Sequence, residues 1–186
     1  MRITIIGPRS VGKTTVAKLL AQKLSYIHEE SDKVMDGLLK KHGGLSKLLQ
    51  DGKWDLVNDA VEKRFDVALQ QDDLIFDLAG GALIIEERDL GKRTQEFIRQ
   101  RSVVIGLLPG EDDAQAVKLL YARERQRDHF DYLDDDELYE KVQRNYAKVK
   151  PALLNIAHHI VFVKEKTPQA IVDEMSVFLD NQAKAL

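Results

Sequence analysis

Residues Gly7-Pro8-Arg9-Ser10-Val11-Gly12-Lys13-Thr14-Thr15 constrain this chain more than any other stretch. They read G-x-x-x-x-G-K-T, the phosphate-binding P-loop pattern, whose meaning depends on a strand before it and a helix after it. Both are legible. Upstream, Arg2-Ile3-Thr4-Ile5-Ile6 is a β-branched run suited to a buried strand. Downstream, Val16, Ala17, Leu19, Leu20 and Leu24 fall on one helical stripe. A chance glycine-rich turn would lack that frame. The chemistry explains the residue types: Gly7 and Gly12 permit a tight turn and close backbone approach to a polyphosphate. The helix starting near Lys13 adds its positive end. Lys13 supplies a mobile charge for the outer phosphates, and the Thr14 hydroxyl suits Mg²⁺. A nucleoside triphosphate site is therefore predicted across residues 7–15.

Composition bounds the rest. A chain of 186 residues, 44% hydrophobic and 32% charged, reads as one soluble globular domain, 1–186. A net charge of −3 argues for neither nucleic acid nor membrane as a partner. The absence of cysteine removes disulfides and thiolate metal sites. The first strand begins at Arg2, which predicts no leader peptide, and no apolar run approaches a membrane span. A cytoplasmic monomer is expected.

Apolar periodicity predicts strands at Tyr26–Glu29, Leu74–Asp77, Val103–Leu107 and Ile160–Val163 after the first. Helices are predicted at Asp32–Lys41, Leu45–Gln50, Trp54–Gln71, Lys92–Arg101 and Ala114–Ala122. A longer one spans Asp136–Ala157 with a break or kink at Pro151, and the last begins at Thr167-Pro168 as cap and first helical proline. Trp54 and Leu56 are expected to pack a helical cap over the sheet. Strands alternating with helices mean a parallel sheet covered on both faces, an α/β fold with ligands beyond the carboxyl ends of the strands.

Three acids should stand there. Asp77 ends the third strand, where a carboxylate holds Mg²⁺, often through water. Glu30 and Asp32 flank Ser31, and in an extended chain they point the same way; a solvated helix cap is the alternative reading. Arg123, Arg125 and Arg127 crowd a segment, 123–136, that reads as a lid able to bring an arginine onto transferring phosphate. Pairing with Asp131, Asp134, Asp135 and Asp136 is the plainer alternative. His158 and His159 would point to opposite faces of a strand, and the five histidines make no metal spacing.

These features together resemble the shikimate kinase family of P-loop small-molecule kinases over the whole chain. The P-loop, Glu30-Ser31-Asp32 in place of Asp-Ser-Asp, Ala79-Gly80-Gly81 in place of three glycines, and the closing segment from Pro151 carry the likeness. The resemblance implies a three-layer αβα fold with a five-stranded parallel sheet in order 2-3-1-4-5. It also implies a helical substrate-binding region at about 32–60 and use of ATP and Mg²⁺. It assigns Thr14, Glu30 and Asp77 to the metal, Asp32, Gly80 and Gly81 to the acceptor, and Arg123 to the base. Lys13, Asp32 and Arg127 would be catalytic. The departures are specific. Where the family has two carboxylate-binding arginines, this chain has Val57 and Val149. Lys148, Lys150, Arg144 and Arg64 are the nearest cations able to replace them. The Arg-Pro pair usual in the lid is absent.

The expected activity is phosphoryl transfer from ATP to a hydroxyl of a small molecule. A nucleotide-operated switch is the alternative, since Asp77-Leu78-Ala79-Gly80 fits D-x-x-G. However, no threonine lies between Thr15 and Thr94, and no Asn-Lys-x-Asp motif occurs. A kinase relative that only binds nucleotide is the third reading.

Overall fold

The structure is a computed structural model, and it describes residues 1–44, 47–48, 51–68, 70–127 and 132–184. Five parallel strands form one sheet in the order β2-β3-β1-β4-β5: β1 Arg2–Ile6, β2 Ile27–Glu30, β3 Leu74–Asp77, β4 Val103–Leu108 and β5 His159–Phe162. Seven α-helices accompany them among the described residues: α1 Lys13–Leu24, α2 Ser31–Leu39, α3 Trp54–Ala68, α4 Leu90–Arg101, α5 Asp113–Glu124, α6 Asp135–Ile156 and α7 Pro168–Lys184. The order and the three layers are those implied by the family resemblance.

The inner strands explain the apolar runs. Leu74, Ile75, Phe76, Ile3, Ile5, Ile6, Val104 and Ile105 are all buried, as strands covered on both faces must be. The edge strands β2 and β5 are only partly covered. Against the sheet α1 packs on β3 and on α7, while α6 packs on β4, α4 and α5. No helix is long and apolar enough to cross a membrane among the described residues.

Several boundaries differ from expectation for physical reasons. The helix after β2 starts at Ser31, so Glu30 ends a strand while Asp32 sits in a helical first turn. The extended spacing that would align those two side chains is not present. That helix gives way to a 3-10 turn, Lys40–His42, ended by Gly43 at φ 92. Helix α6 runs through Pro151 without a break; its 22 residues bury Leu138, Tyr146, Val149, Leu153 and Ile156 on one side, and that face holds the helix together where the proline removes a donor. Helix α3 is described to Ala68, and Gln70 already lies in a turn, short of the expected end at Gln71. Leu56 is an exposed apolar side chain rather than part of a cap, and Trp54 is half-buried. The short helix expected at Leu45–Gln50 falls partly outside the described residues, as do Leu69 and Asp131. Thr167 does cap α7, its Oγ1 accepting from the Ala170 N–H at 3.2 Å.

Candidate active site

The loop between β1 and α1 is shaped by a few backbone demands. Gly12 sits at φ 105, a conformation that side chains disfavour, and turns the chain into the first residue of α1. Gly7 is needed for space: a Cβ there would lie 2.7 Å from the Leu107 carbonyl oxygen. Ser10 takes φ 62 without being glycine. Val11 is buried, so it anchors the loop. The Val16 N–H donates to the Gly12 carbonyl at 3.2 Å. The amides of the first turn, residues 13–15, have no carbonyl of their own helix to bond and are available to a ligand.

Beside this loop lies a cleft of about 470 Å³ at the carboxyl ends of the strands. Its walls bring together Arg9, Ser10, Gly12, Lys13, Thr14 and Thr15 with Glu30, Asp32, Asp77, Gly80, Gly81 and Arg127. Gly7 and Pro8 contribute carbonyls that accept from Lys13 Nζ at 3.0 and 3.1 Å. Burial holds the Lys13 ammonium below its usual pKa, with Asp77 and Asp32 opposing and Arg127 and Arg9 adding to the effect. Asp77 accepts a 2.5 Å hydrogen bond from Thr14 Oγ1. Its carboxyl is pushed up by burial, against the hydrogen bond from Thr14 and the charge of Lys13.

Glu30 pairs with Asp77 across the β2–β3 register and lines the same cleft. It is held by Lys33 at 2.8 Å and Lys18 at 3.4 Å, and the hydrogen bond from Lys33 keeps it below the usual carboxylate range. Asp32 is exposed to the cleft from the start of α2. Among the described residues no group of three or more histidines and carboxylates is placed to hold a metal on protein ligands alone. Thr14 and Asp77 suit an ion held chiefly by phosphate oxygens and water, as Mg²⁺ is. Glu30 as placed is committed to two lysines.

The lid arginines separate. Arg127 lines the cleft. Arg125 pairs with Asp135 at 2.9 Å, one of the acid partners foreseen. Arg123 is not in the cleft wall; its Nη1 donates to the Val11 carbonyl at 2.9 Å. Residues 128–131 of the expected lid lie outside the described residues. Among the described residues no histidine lines the cleft. His158 accepts from the Val104 N–H through Nδ1 at 2.9 Å, and His159 stacks on Phe178.

Three contributors have no role predicted from the sequence, although Ser31 stands inside the Glu30-Ser31-Asp32 motif. Ser31 Oγ accepts from the Ala79 N–H at 3.2 Å and so joins the start of α2 to the end of β3. Asn145 reaches the cleft from the middle of α6. Glu124 binds the P-loop from the end of α5. Gly80 is tightly fitted: a Cβ would lie 2.3 Å from the Gly7 carbonyl oxygen, whereas nothing lies within 4 Å of one at Gly81.

The positions of the missing arginines are apolar core. Val57 and Val149 are buried, at 2% and 0% exposure. Lys148 pairs with Glu86 at 2.8 Å, Lys150 pairs with Asp113, and Arg144 lies near Glu140 at 3.5 Å. Arg64 differs from these. It is buried at 3% exposure, with its guanidinium 5.8 Å from the Phe76 ring centre. Burial pushes its pKa down to about 10, and the Asp32 charge works in the opposite direction.

Comparison with known proteins agrees with this geometry. The family model "Shikimate kinase" matches residues 9–180. Shikimate kinase 2 of Yersinia enterocolitica is 23% identical over 185 residues, 98% of each chain. A cytidylate kinase of Caldicellulosiruptor saccharolyticus is 36% identical over 103 residues, 55% of this chain; the match spans 40% of that protein's length. A shikimate kinase from Acinetobacter baumannii, solved in complex with shikimate, superposes with a TM-score of 0.70 at 18% identity, covering 97% of this chain and 93% of that one. With the phosphate loop, the sheet order and a match running from the loop into the last helix, the chain belongs to the shikimate kinase family, P-loop kinases of small molecules.

Proposed function

We propose that the protein transfers the γ-phosphoryl group of ATP to a hydroxyl of a small polyhydroxylated molecule, and that it does not hold the acceptor by the family's two-arginine carboxylate clamp. The observation that carries this is the pair of buried valines, Val57 and Val149, at the clamp positions. A guanidinium holds a carboxylate by two parallel hydrogen bonds, and a valine offers none. A carboxylate buried against them would be left unpaired, at a cost of about several kcal/mol.

The residues support an in-line displacement. The acceptor oxygen attacks the γ-phosphorus, its proton passes to the Asp32 carboxylate, and the bond to the β–γ bridging oxygen breaks to release ADP. The P-loop amides and Lys13 hold the β- and γ-phosphates, Arg127 faces them across the cleft, and Gly80 and Gly81 form the acceptor wall. Thr14 and Asp77 would hold Mg²⁺, which neutralises charge on the phosphates. Arg123, tied to the Val11 carbonyl, supports the loop and remains the residue assigned to the base.

The test is ADP formation with shikimate, neutral polyols and cytidine monophosphate as acceptors. A neutral polyol is expected to give the highest kcat/KM. Shikimate with a Michaelis constant in the ordinary range, about 1 μM to 1 mM, and brisk turnover would show that another cation, Arg64 foremost, has replaced the clamp.

A further inference from the structure

The middle of this P-loop has little hydrogen bonding of its own, chiefly the Val11 N–H to the Pro8 carbonyl at 3.4 Å, so much of its shape is imposed from outside. Here the imposition comes from two consecutive residues at the end of α5. Glu124 is a buried acid, 2% exposed. Its Oε1 accepts from Arg9 Nε at 2.8 Å and its Oε2 from Ser10 Oγ. Next to it, Arg123 Nη1 donates to the Val11 carbonyl. Loop positions 9, 10 and 11 are thus each held from more than a hundred residues away. Ser10 is the residue at φ 62, a region where a side chain is disfavoured unless its surroundings determine it.

We propose that Glu124 is a positioning residue for nucleotide binding: by gripping Arg9 and Ser10 together it fixes the P-loop in its phosphate-receiving shape. Glu124 is absent from the cleft wall, so it acts through those two residues. Its charge alone would repel a triphosphate. An acid next to a phosphate site therefore has a role only if the geometry it sets outweighs that repulsion. A buried carboxylate is stable there because both of its oxygens are occupied by donors. This inference rests on the nucleotide reading of the P-loop and is independent of which acceptor is used.

The experiment is calorimetric titration of a non-hydrolysable ATP analogue with Mg²⁺ into wild type, Glu124→Gln, Arg9→Met and the double variant, with a thermal melt of each. Glutamine keeps the shape but turns an amide N–H₂ toward one of the two donors. Glu124→Gln is expected to bind about ten- to a hundred-fold more weakly, the scale of a lost charge-assisted hydrogen bond. Because Glu124 also grips Ser10 and Arg9 itself lines the cleft, the double variant should lose less than the sum of the two singles. Equal or tighter binding by a folded Glu124→Gln, as simple charge removal predicts, overturns the proposal, as do additive losses in the double variant. If Glu124→Gln does not fold, Ser10→Ala reads the same contact: several-fold weaker binding supports it and unchanged binding overturns it. Failure of wild type itself to bind the analogue would bring down the kinase reading as well, whereas wild-type binding with an indifferent Glu124 brings down this inference alone.

Discussion

Gly80 and Gly81 are neighbours with opposite demands. A methyl at Gly80 meets the Gly7 carbonyl oxygen at 2.3 Å, backbone against backbone, so the P-loop itself has to move. A methyl at Gly81 meets nothing within 4 Å. Gly80→Ala is expected to weaken ATP-analogue binding about five- to a hundred-fold, the scale of an overpacking penalty of about 1–3 kcal/mol. Gly81→Ala should bind the analogue as wild type does. Titrating both variants checks this, and equal losses would show that the contact does not matter. At this scale the sequence was legible where chemistry fixes spacing. Lys13, Thr14 and Asp77 are recognisable because phosphate and Mg²⁺ sites require those groups at a strand–loop–helix junction. Glu124 was not, because it lies among Arg123, Arg125 and Arg127 and resembles any solvated charge run. Only the fold shows that this one acid is buried.

Elements announce themselves by their ends. Helix α6 opens with a reciprocal pair: Asp134 Oδ1 accepts from the Glu137 N–H at 2.9 Å, and the Glu137 side chain accepts from the Asp134 N–H at 3.2 Å. Asp134→Ala is expected to cost about 1 kcal/mol, seen as a fall in Tm of about 2–4 °C for a chain of this size. Differential scanning calorimetry measures it, and an unchanged Tm would mean that the first turn is held by packing alone. The element pattern was read correctly wherever apolar periodicity was long. At Glu30-Ser31-Asp32, where strand passes to helix without a turn residue to mark the change, the helix-cap alternative held and the extended one did not. At Pro151, of the break or kink expected, the break does not occur, because the buried face of α6 prevailed.

At the scale of the whole molecule, stability and function pull against each other at Asp77. Its net shift is upward with Lys13 in place, so the ionised carboxylate is disfavoured in the folded protein. From the ordinary value of 3.8 upward the unfolded chain releases this proton first. Folding therefore loses stability as pH rises through the window between 3.8 and the raised folded value, and carries the full penalty at neutral pH. Asp77→Asn keeps an acceptor for the Thr14 hydroxyl and removes that penalty. It is expected to raise Tm at pH 7, to leave Tm unchanged at pH 3, and to depress Mg²⁺-dependent turnover. Melts across pH check the first two points, and a lower Tm at pH 7 would show that the carboxylate is a stabilising partner of Lys13 after all. The parallel sheet followed from strand–helix alternation, and its order from the family resemblance alone. The acceptor was not legible, because two clamp positions became valine and no other residue type announces a replacement.

The two bonds from Lys13 to the carbonyls of Gly7 and Pro8 have a consequence for selectivity. Held by these two carbonyls the cation is already satisfied, so an anion that takes it must displace two neutral oxygens before it gains the charge. A weak, diffuse anion gains little from that exchange, while the dense charge of a terminal phosphate gains much. The loop thus screens anions by charge density before any other part of the site takes part.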